Sequence, residues 1–245
     1  MDNHLSLDRV GGTLEHLSQH WAERQKLEAA RAEISDGPRA MTIALSREPG
    51  VMGTGVAREL GRLLGWAVYD HELLERVAQD LGVRTKLLES VDERRVGWLT
   101  ETFESVLGVP HVSESAYVHG LVKTILALGI HGECIIVGRG AVFILPAHHT
   151  LRVRLIAPLD HRVVALSSRL NVSESEAHAR LVVMDRERKE FVQEHLFKDP
   201  TDPQNYDLVI DFARFGVAGC AQLIALALEH RQDGAKRPND LALST

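Results

Sequence analysis

Met41-Thr42-Ile43-Ala44-Leu45, followed by Ser46-Arg47-Glu48-Pro49-Gly50-Val51-Met52-Gly53-Thr54-Gly55, is the stretch on which the fold turns. The first five residues are apolar and partly β-branched, as a strand buried on both faces requires. Arg47 to Gly55 carries Gly and Pro and reads as a loop. Val56, Leu60, Leu63 and Leu64 then fall at i, i+4, i+7 and i+8, one face of a helix that Gly65 stops. Strand, glycine loop and helix form the layout of an anion seat, where backbone N–H groups and a helix N-terminus converge. Gly50-x4-Gly55 matches the opening of G-x-x-x-x-G-K-[ST], with Val56 and Ala57 where Lys and Ser/Thr would complete it. Two other readings stay open. One is a structural βα turn. The other is a dinucleotide loop, for which Asp70 stands in the acid's place but Arg58 replaces the third glycine.

Outward from that stretch the alternation continues. Trp66-Ala67-Val68-Tyr69, Cys134-Ile135-Ile136-Val137, Leu151-Arg152-Val153-Arg154-Leu155-Ile156 and Tyr206-Asp207-Leu208-Val209-Ile210 read as four more strands. Helical patterns fill most of 71–108, then 116–131, 159–170, 174–195 and 217–230, with Ser173 and Glu176 forming a capping box. Strands separated by helices call for an α/β fold, a five-stranded parallel sheet with helices on both faces. Ligands of such sheets bind beyond the carboxyl ends of the strands. Here those ends are Ser46-Arg47, Asp70, Gly138-Arg139, Ala157-Pro158 and Asp211, one rim with several charges. Leu14, Leu17, Trp21 and Leu27 sit at roughly helical spacing, so 1–38 reads as a helical extension, ended by Ser35-Asp36-Gly37-Pro38. The main domain is then 39–230, and 231–245 reads as a polar tail.

Composition narrows the function classes. The 245 residues are 44% hydrophobic and 25% charged, the profile of a soluble globular protein. With 28 Lys+Arg against 34 Asp+Glu the net charge is −6, which argues against general nucleic-acid binding but leaves room for a local basic pocket. Cys134 and Cys220 have no ligand spacing, and the 13 histidines are scattered, so neither a disulfide framework nor a metal site is expected. No run of ~18 apolar residues is evident, so no spanning helix and no membrane partner is expected. The first twenty residues lack an apolar run, so no secretory signal is expected and a cytoplasmic setting is.

Six short segments, in order over about 41–225, resemble the cytidylate kinase-like family, a branch of the P-loop nucleoside monophosphate kinases. They are Leu45-Ser46-Arg47-Glu48-Pro49-Gly50, Tyr69-Asp70-His71-Glu72-Leu73-Leu74, Ile135-Ile136-Val137-Gly138-Arg139-Gly140-Ala141, Ile156-Ala157-Pro158-Leu159, Asp185-Arg186-Glu187-Arg188 and Asn205-Tyr206-Asp207-Leu208-Val209-Ile210. The resemblance implies a three-layer P-loop NTPase-like fold and phosphoryl transfer from ATP, with Mg²⁺, to a nucleoside monophosphate. It implies that Arg47 and the loop at Gly50, Gly53, Thr54 and Gly55 face donor phosphates. It implies that Asp70 and Arg139 hold the acceptor, that Arg162 is a donor-side arginine, and that Asp185 and Arg188 belong to a mobile lid. Arg139, Arg162, Asp185 and Arg188 are thus the candidate catalytic residues.

Such a set suits the chemistry. Phosphoryl transfer asks for two aligned substrates, excluded water and cations on the spreading negative charge, with little covalent help. Each residue also has a plainer reading. Asp70 suits the cap of a helix at His71, Arg162 a surface helix, and Arg186, Arg188 and Lys189 a solvated face among Glu187, Glu190 and Glu194. The family's loop typically reads S-R-x-x-G-S-G-G, and Val51 and Met52 depart from it. That departure motivates the alternative, a pseudo-kinase that senses a nucleotide or binds a partner, or a second copy, through residues 1–38.

Overall fold

The computed structural model describes residues 40–80, residues 84 and 87, and residues 116–236. The expected extension 1–38, the helical stretch beyond residue 80 and the end of the tail lie outside the described residues. Five strands form one sheet: β1 (Thr42–Arg47), β2 (Ala67–Tyr69), β3 (Cys134–Val137), β4 (Thr150–Ile156) and β5 (Leu208–Asp211). Their order is β2-β3-β1-β4-β5, and every pairing is parallel. The helices are α1 (Gly53–Leu64), α2 (His71–Gln79), α3 (Ala116–His131), α4 (Ala141–Ile144), α5 (Leu159–Leu170), α6 (Glu174–Leu196) and α7 (Phe212–Lys236). Parallel pairing is the geometry that helical crossovers demand, as the alternating pattern predicts.

Side-chain parity builds the layers. Ile43 and Leu45 of β1, with Ile135 and Val137 of β3, turn to the face covered by α1 and α7, where Val56, Leu60, Cys220 and Ile224 meet them. Ala44 and Ile136 turn to the opposite face, against Leu121, Ile125 and Leu126 of α3 and Leu74 and Val77 of α2. Alternate residues of a strand point to opposite faces, so one apolar run serves two cores. Arg47 continues the 43–45 parity, which sets its side chain on the α1 face.

The boundaries depart from the expectations in informative places. β1 runs on to Arg47, so this residue closes a strand rather than opening a loop. α1 begins at Gly53, three residues before the apolar face becomes visible in the sequence. The last helix begins at Phe212 and is interrupted at Gly216, whose φ of 59° and ψ of −167° are not helical, and it runs on through the start of the expected polar tail to Lys236. Its segment Phe212–Gln232 has a mean hydropathy of 1.4 and is long enough to cross a membrane, against the expectation that no such stretch exists. The signal was hidden because Arg214, Glu229 and Arg231 interrupt the apolar run. Cys220, Ala221, Ile224 and Leu228 of this helix are buried against the sheet face.

Local signals hold where they carry a mechanism. Asp70 caps α2 by accepting from the Leu73 amide at 3.1 Å, and Ser173 caps α6 by accepting from the Glu176 amide at 3.2 Å. Cys134 and Cys220 are both free and buried. α5 and α6 share a small core of their own, Val163, Leu166, Ala177 and Leu181, while Phe191 and Leu196 in the last turns of α6 pack against the main core.

Ile135 is fully buried between β1 and β2, beneath α1. Ile135→Ala is expected to lower the unfolding free energy by about 2–5 kcal/mol, read from the urea midpoint, because the neighbouring strands leave the cavity no room to collapse. A loss well under ~1 kcal/mol would contradict this packing.

Candidate functional site

Because β1 is the middle strand, the carboxyl ends of β1, β3 and β4 lie side by side: Arg47, Val137 and Ile156. Chain order reverses direction here, and such a switch point leaves a crevice between diverging loops. A cleft of about 820 Å³ opens there, roofed by the middle of α6. Arg47, Arg139, Arg154, Arg186, Arg188 and Lys189 line it, against the carboxylates of Glu48, Asp185 and Glu187. The cleft therefore gathers cations although the chain as a whole is acidic. Val142, Phe143, Phe191 and Val192 add an apolar part to its lining.

Arg47 is the innermost cation. Its stem packs on the Cα of Gly53, and its guanidinium reaches Gly138. It makes no ion pair among the described residues. Burial, then the nearby guanidiniums of Arg188 and Arg139, lower its pKa to about 10, while Asp70 pulls the other way. Arg139 follows β3 in a left-handed conformation, φ 49°, between two glycines that are also left-handed. It pairs with Glu75 of α2, and burial lowers its pKa. Arg188 comes from α6 and donates to the Arg47 carbonyl at 3.0 Å. Burial lowers its pKa too, although Asp185 opposes this. Three mutually repelling guanidiniums in one cleft form an arrangement whose repulsion a strong oxyanion would relieve.

The loop between β1 and α1 is tied to its neighbours by Glu48. That carboxylate accepts from the Ala157 amide at 3.1 Å and faces Arg162 Nε at 3.5 Å and Arg154 at 3.6 Å. Gly50, with φ 86°, lies flush against Arg162, and a Cβ there would sit 2.8 Å from the Arg162 Cβ. Within the loop the Val51 amide donates to the Glu48 carbonyl, and the Gly53 amide donates to the Val51 carbonyl at 2.8 Å. The Thr54 and Gly55 amides at the head of α1 have no acceptor among the described residues. Met52 is 54% exposed and leans over Gly55 toward Val217 of α7, away from the cleft.

The expected residues divide accordingly. Arg47, Arg139, Asp185 and Arg188 meet in the cleft. Arg162 does not present itself to it. This residue is 9% exposed, and Glu48, Asp185 at 2.9 Å and the Pro49 carbonyl at 3.5 Å occupy its guanidinium. It braces the loop to α6, and the Asp185 carboxylate is engaged in the same brace. Asp70 is not among the lining residues; it caps α2, stands 3.9 Å from Arg58 and acts on Arg47 by its charge. The pattern can also be counted from the start of α1 rather than from its glycines. Its Lys and hydroxyl then fall at the junction of loop and helix, on Gly53 and Thr54, with Arg47 and Met52 at the glycine places. Val56 and Ala57 are fully buried core.

Sequence reasoning missed Glu48, Arg154 and His71. A charge at Arg154 inside an otherwise apolar strand was the available signal. The strand reaches the cleft there, and Arg154 donates to the Pro200 carbonyl and to the Tyr206 hydroxyl at 3.2 Å. His71 is the first residue of α2 and lines the cleft with a buried Nδ1 that has no hydrogen-bond partner. Burial and Arg47 lower its pKa, with Arg139 adding to this and Glu72 and Asp70 opposing it.

A family model described as the cytidylate kinase-like family matches residues 42–214, well over half of the chain. A crystal structure of an uncharacterized protein from Eubacterium ventriosum is 22% identical, with a TM-score of 0.60 over 80% of this chain and 99% of that one. At that identity the likeness speaks for the fold alone. A shikimate kinase from Bacteroides thetaiotaomicron is 13% identical, with a TM-score of 0.44 over 77% of this chain and 98% of that one. No curated protein sequence matches.

Two outcomes follow from the charge balance. Arg47→Met is expected to raise the thermal stability of the ligand-free protein, by on the order of 1–3 kcal/mol, because it removes a desolvated and repelled cation. A lower melting temperature would contradict the absence of an ion pair. His71 is expected to titrate below 6.5 in the free protein by NMR. A group of this kind favours folding fully above its unfolded pKa, and the contribution falls as pH drops through the folded one. A midpoint above 6.5 would place His71 outside the influence of Arg47.

Proposed function

Because the chain belongs to the cytidylate kinase-like family, we propose that it is an ATP-dependent kinase of a nucleoside monophosphate, built on an α/β P-loop-like fold. The observation that carries this reading is the convergence of Arg47, Arg139 and Arg188 in a cleft that Phe143 and Phe191 also line. A ligand matched to both kinds of group bears a phosphate and a flat ring. Arg139 and Arg188 hold the acceptor phosphate in this reading, and Phe143 and Phe191 shelter the base. The donor lies across the head of α1, where the Thr54 and Gly55 amides and the helix N-terminus meet its phosphates.

The residues fit Mg²⁺ modestly. The described residues include no cluster of metal-ligating side chains, so the ion would rest on the Thr54 hydroxyl, substrate phosphates and water, a pattern that suits this cation. When bound it would neutralise charge on the donor phosphates. The chain's own contribution is alignment and positive charge from several loops, with α6 roofing the cleft against water. No general base is assigned.

A second reading, a nucleotide sensor without transfer, draws support from the loop. Gly53 spends its amide on Val51, and Arg162 is paired with Glu48 and Asp185. A cytoplasmic setting belongs to both readings, since two buried free thiols suit a reducing compartment.

Coupled ADP release across CMP, dCMP, UMP and AMP tests the transfer. Turnover with one of them is expected, and none with any would overturn the kinase reading for these acceptors. Calorimetry then separates the two readings, since CMP binding without ATP–Mg²⁺ binding would favour the sensor. Arg139→Ala is expected to weaken CMP binding by about 1–3 kcal/mol. Unchanged affinity would remove Arg139 from the acceptor site.

A further inference from the structure

The phosphate-loop pattern ordinarily carries its cation as a lysine at the junction of loop and helix. Counted from the start of α1, that position in this chain is Gly53. We propose that Arg47, delivered from the end of β1, is the donor-side cation that replaces the lysine, and that Gly53 is glycine to make room for it. The inference rests on the kinase reading above and deepens it.

Four independent observations support the substitution. First, the space is shared. A Cβ on Gly53 would sit 2.8 Å from Arg47 Cγ, 3.1 Å from Cδ and 3.2 Å from Cβ, so the arginine stem fills the volume into which a side chain at 53 would start. Second, the far end is cleared as well. A Cβ on Gly138 would run into the Arg47 Nη1, so a second glycine admits the guanidinium. Third, the cation makes no ion pair among the described residues, and the repulsion from Arg188 and Arg139 outweighs the attraction of Asp70. Fourth, the head of α1 is itself electropositive and uncapped. Its first turn has no acidic residue, and Met52 supplies no side-chain cap. A cation beside the positive end of a helix is unfavourable unless an anion bridges the two. Strand parity explains why Arg47 arrives there: Ile43, Leu45 and Arg47 share the α1 face, so the residue that ends the strand points at the helix that follows it.

The same geometry dictates an exchange experiment. Arg47→Ala is expected to weaken ATP–Mg²⁺ binding and to lower kcat/KM by about 100-fold, the scale on which loss of one preorganised phosphate contact acts. Gly53→Lys alone is expected to be damaging, because the new stem collides with Arg47. The double variant Arg47→Ala/Gly53→Lys has the space and regains the charge. It is expected to recover at least about tenfold of the loss, an ammonium being a serviceable but less directional phosphate ligand. The lysine is thus harmful beside Arg47 and helpful without it. Arg47→Lys, which keeps a cation on the strand, is expected to bind ATP better than Arg47→Ala.

Calorimetry with ATP–Mg²⁺ and separately with CMP, alongside thermal melts of each variant, reads the result. If the wild-type chain neither binds ATP nor turns over, the kinase reading falls and this proposal with it. If the wild type binds ATP and Arg47→Ala binds it as well, the proposal is overturned while the kinase reading stands. A selective loss of CMP affinity in Arg47→Ala also overturns it, by moving Arg47 to the acceptor side. So does a double variant that melts cooperatively without recovering ATP affinity. Should the double variant fail to fold, equal ATP affinity in Arg47→Lys and Arg47→Ala overturns the proposal.

Discussion

A guanidinium with no ion pair among the described residues, held at the end of the central strand, is the constraint to which the surrounding structure answers. Burying charge without a partner is costly, and Arg47 is moreover set beside Arg139 and Arg188. The fold tolerates this because β1 is gripped on both edges, by β3 and by β4, and because apolar side chains fill both of its faces. The strand's position is over-determined, so a repelled cation at its tip cannot pull it away. Local strain of this kind persists only where the rest of the molecule supports it.

The second support is the ion network around Glu48. It joins the loop after β1 to β4 through Arg154 and to α5 through Arg162, and Arg162 passes the connection to Asp185 on α6. These groups are only partly exposed, so their attraction is less screened than that of a surface pair. The α5–α6 hairpin has its own core, and α6 is tied to the rest of the molecule both by Phe191 and Leu196 and by the polar contacts of Asp185 and Arg188. Part of the roof's attachment is therefore made by the same kinds of group that a phosphate ligand would compete for.

Much of this was legible in the sequence. Apolar runs of four to six residues between helical patterns are enough to give the parallel sheet and its carboxyl rim, because buried strands and amphipathic helices leave different periods. Arg139 between two glycines after a strand, and Asp70 before a helix, carried their local roles plainly. The rest was hidden for physical reasons. The start of α1 was misplaced because Gly53, Thr54 and Gly55 contribute no apolar face, so the loop motif was counted from its glycines alone. Arg162 was expected at a ligand because sequence shows a residue's position after a strand but not the acids that fold back onto it. Glu48 and Arg154 were overlooked because their partnership spans about a hundred residues of chain, and His71 because its importance lies in what its ring is buried against.

Placing the cation on a strand also changes what holds its aim. A lysine on a helix keeps its direction through the helix's own hydrogen bonds, whereas Arg47 keeps it through odd-and-even parity along β1. Inserting or deleting one residue between Ile43 and Arg47 would leave the sheet hydrogen-bonded yet rotate the guanidinium to the opposite side of the wall. The opening strand is thus a frame whose length in whole residues encodes where the charge is delivered, and its indels should be far less tolerable than its substitutions.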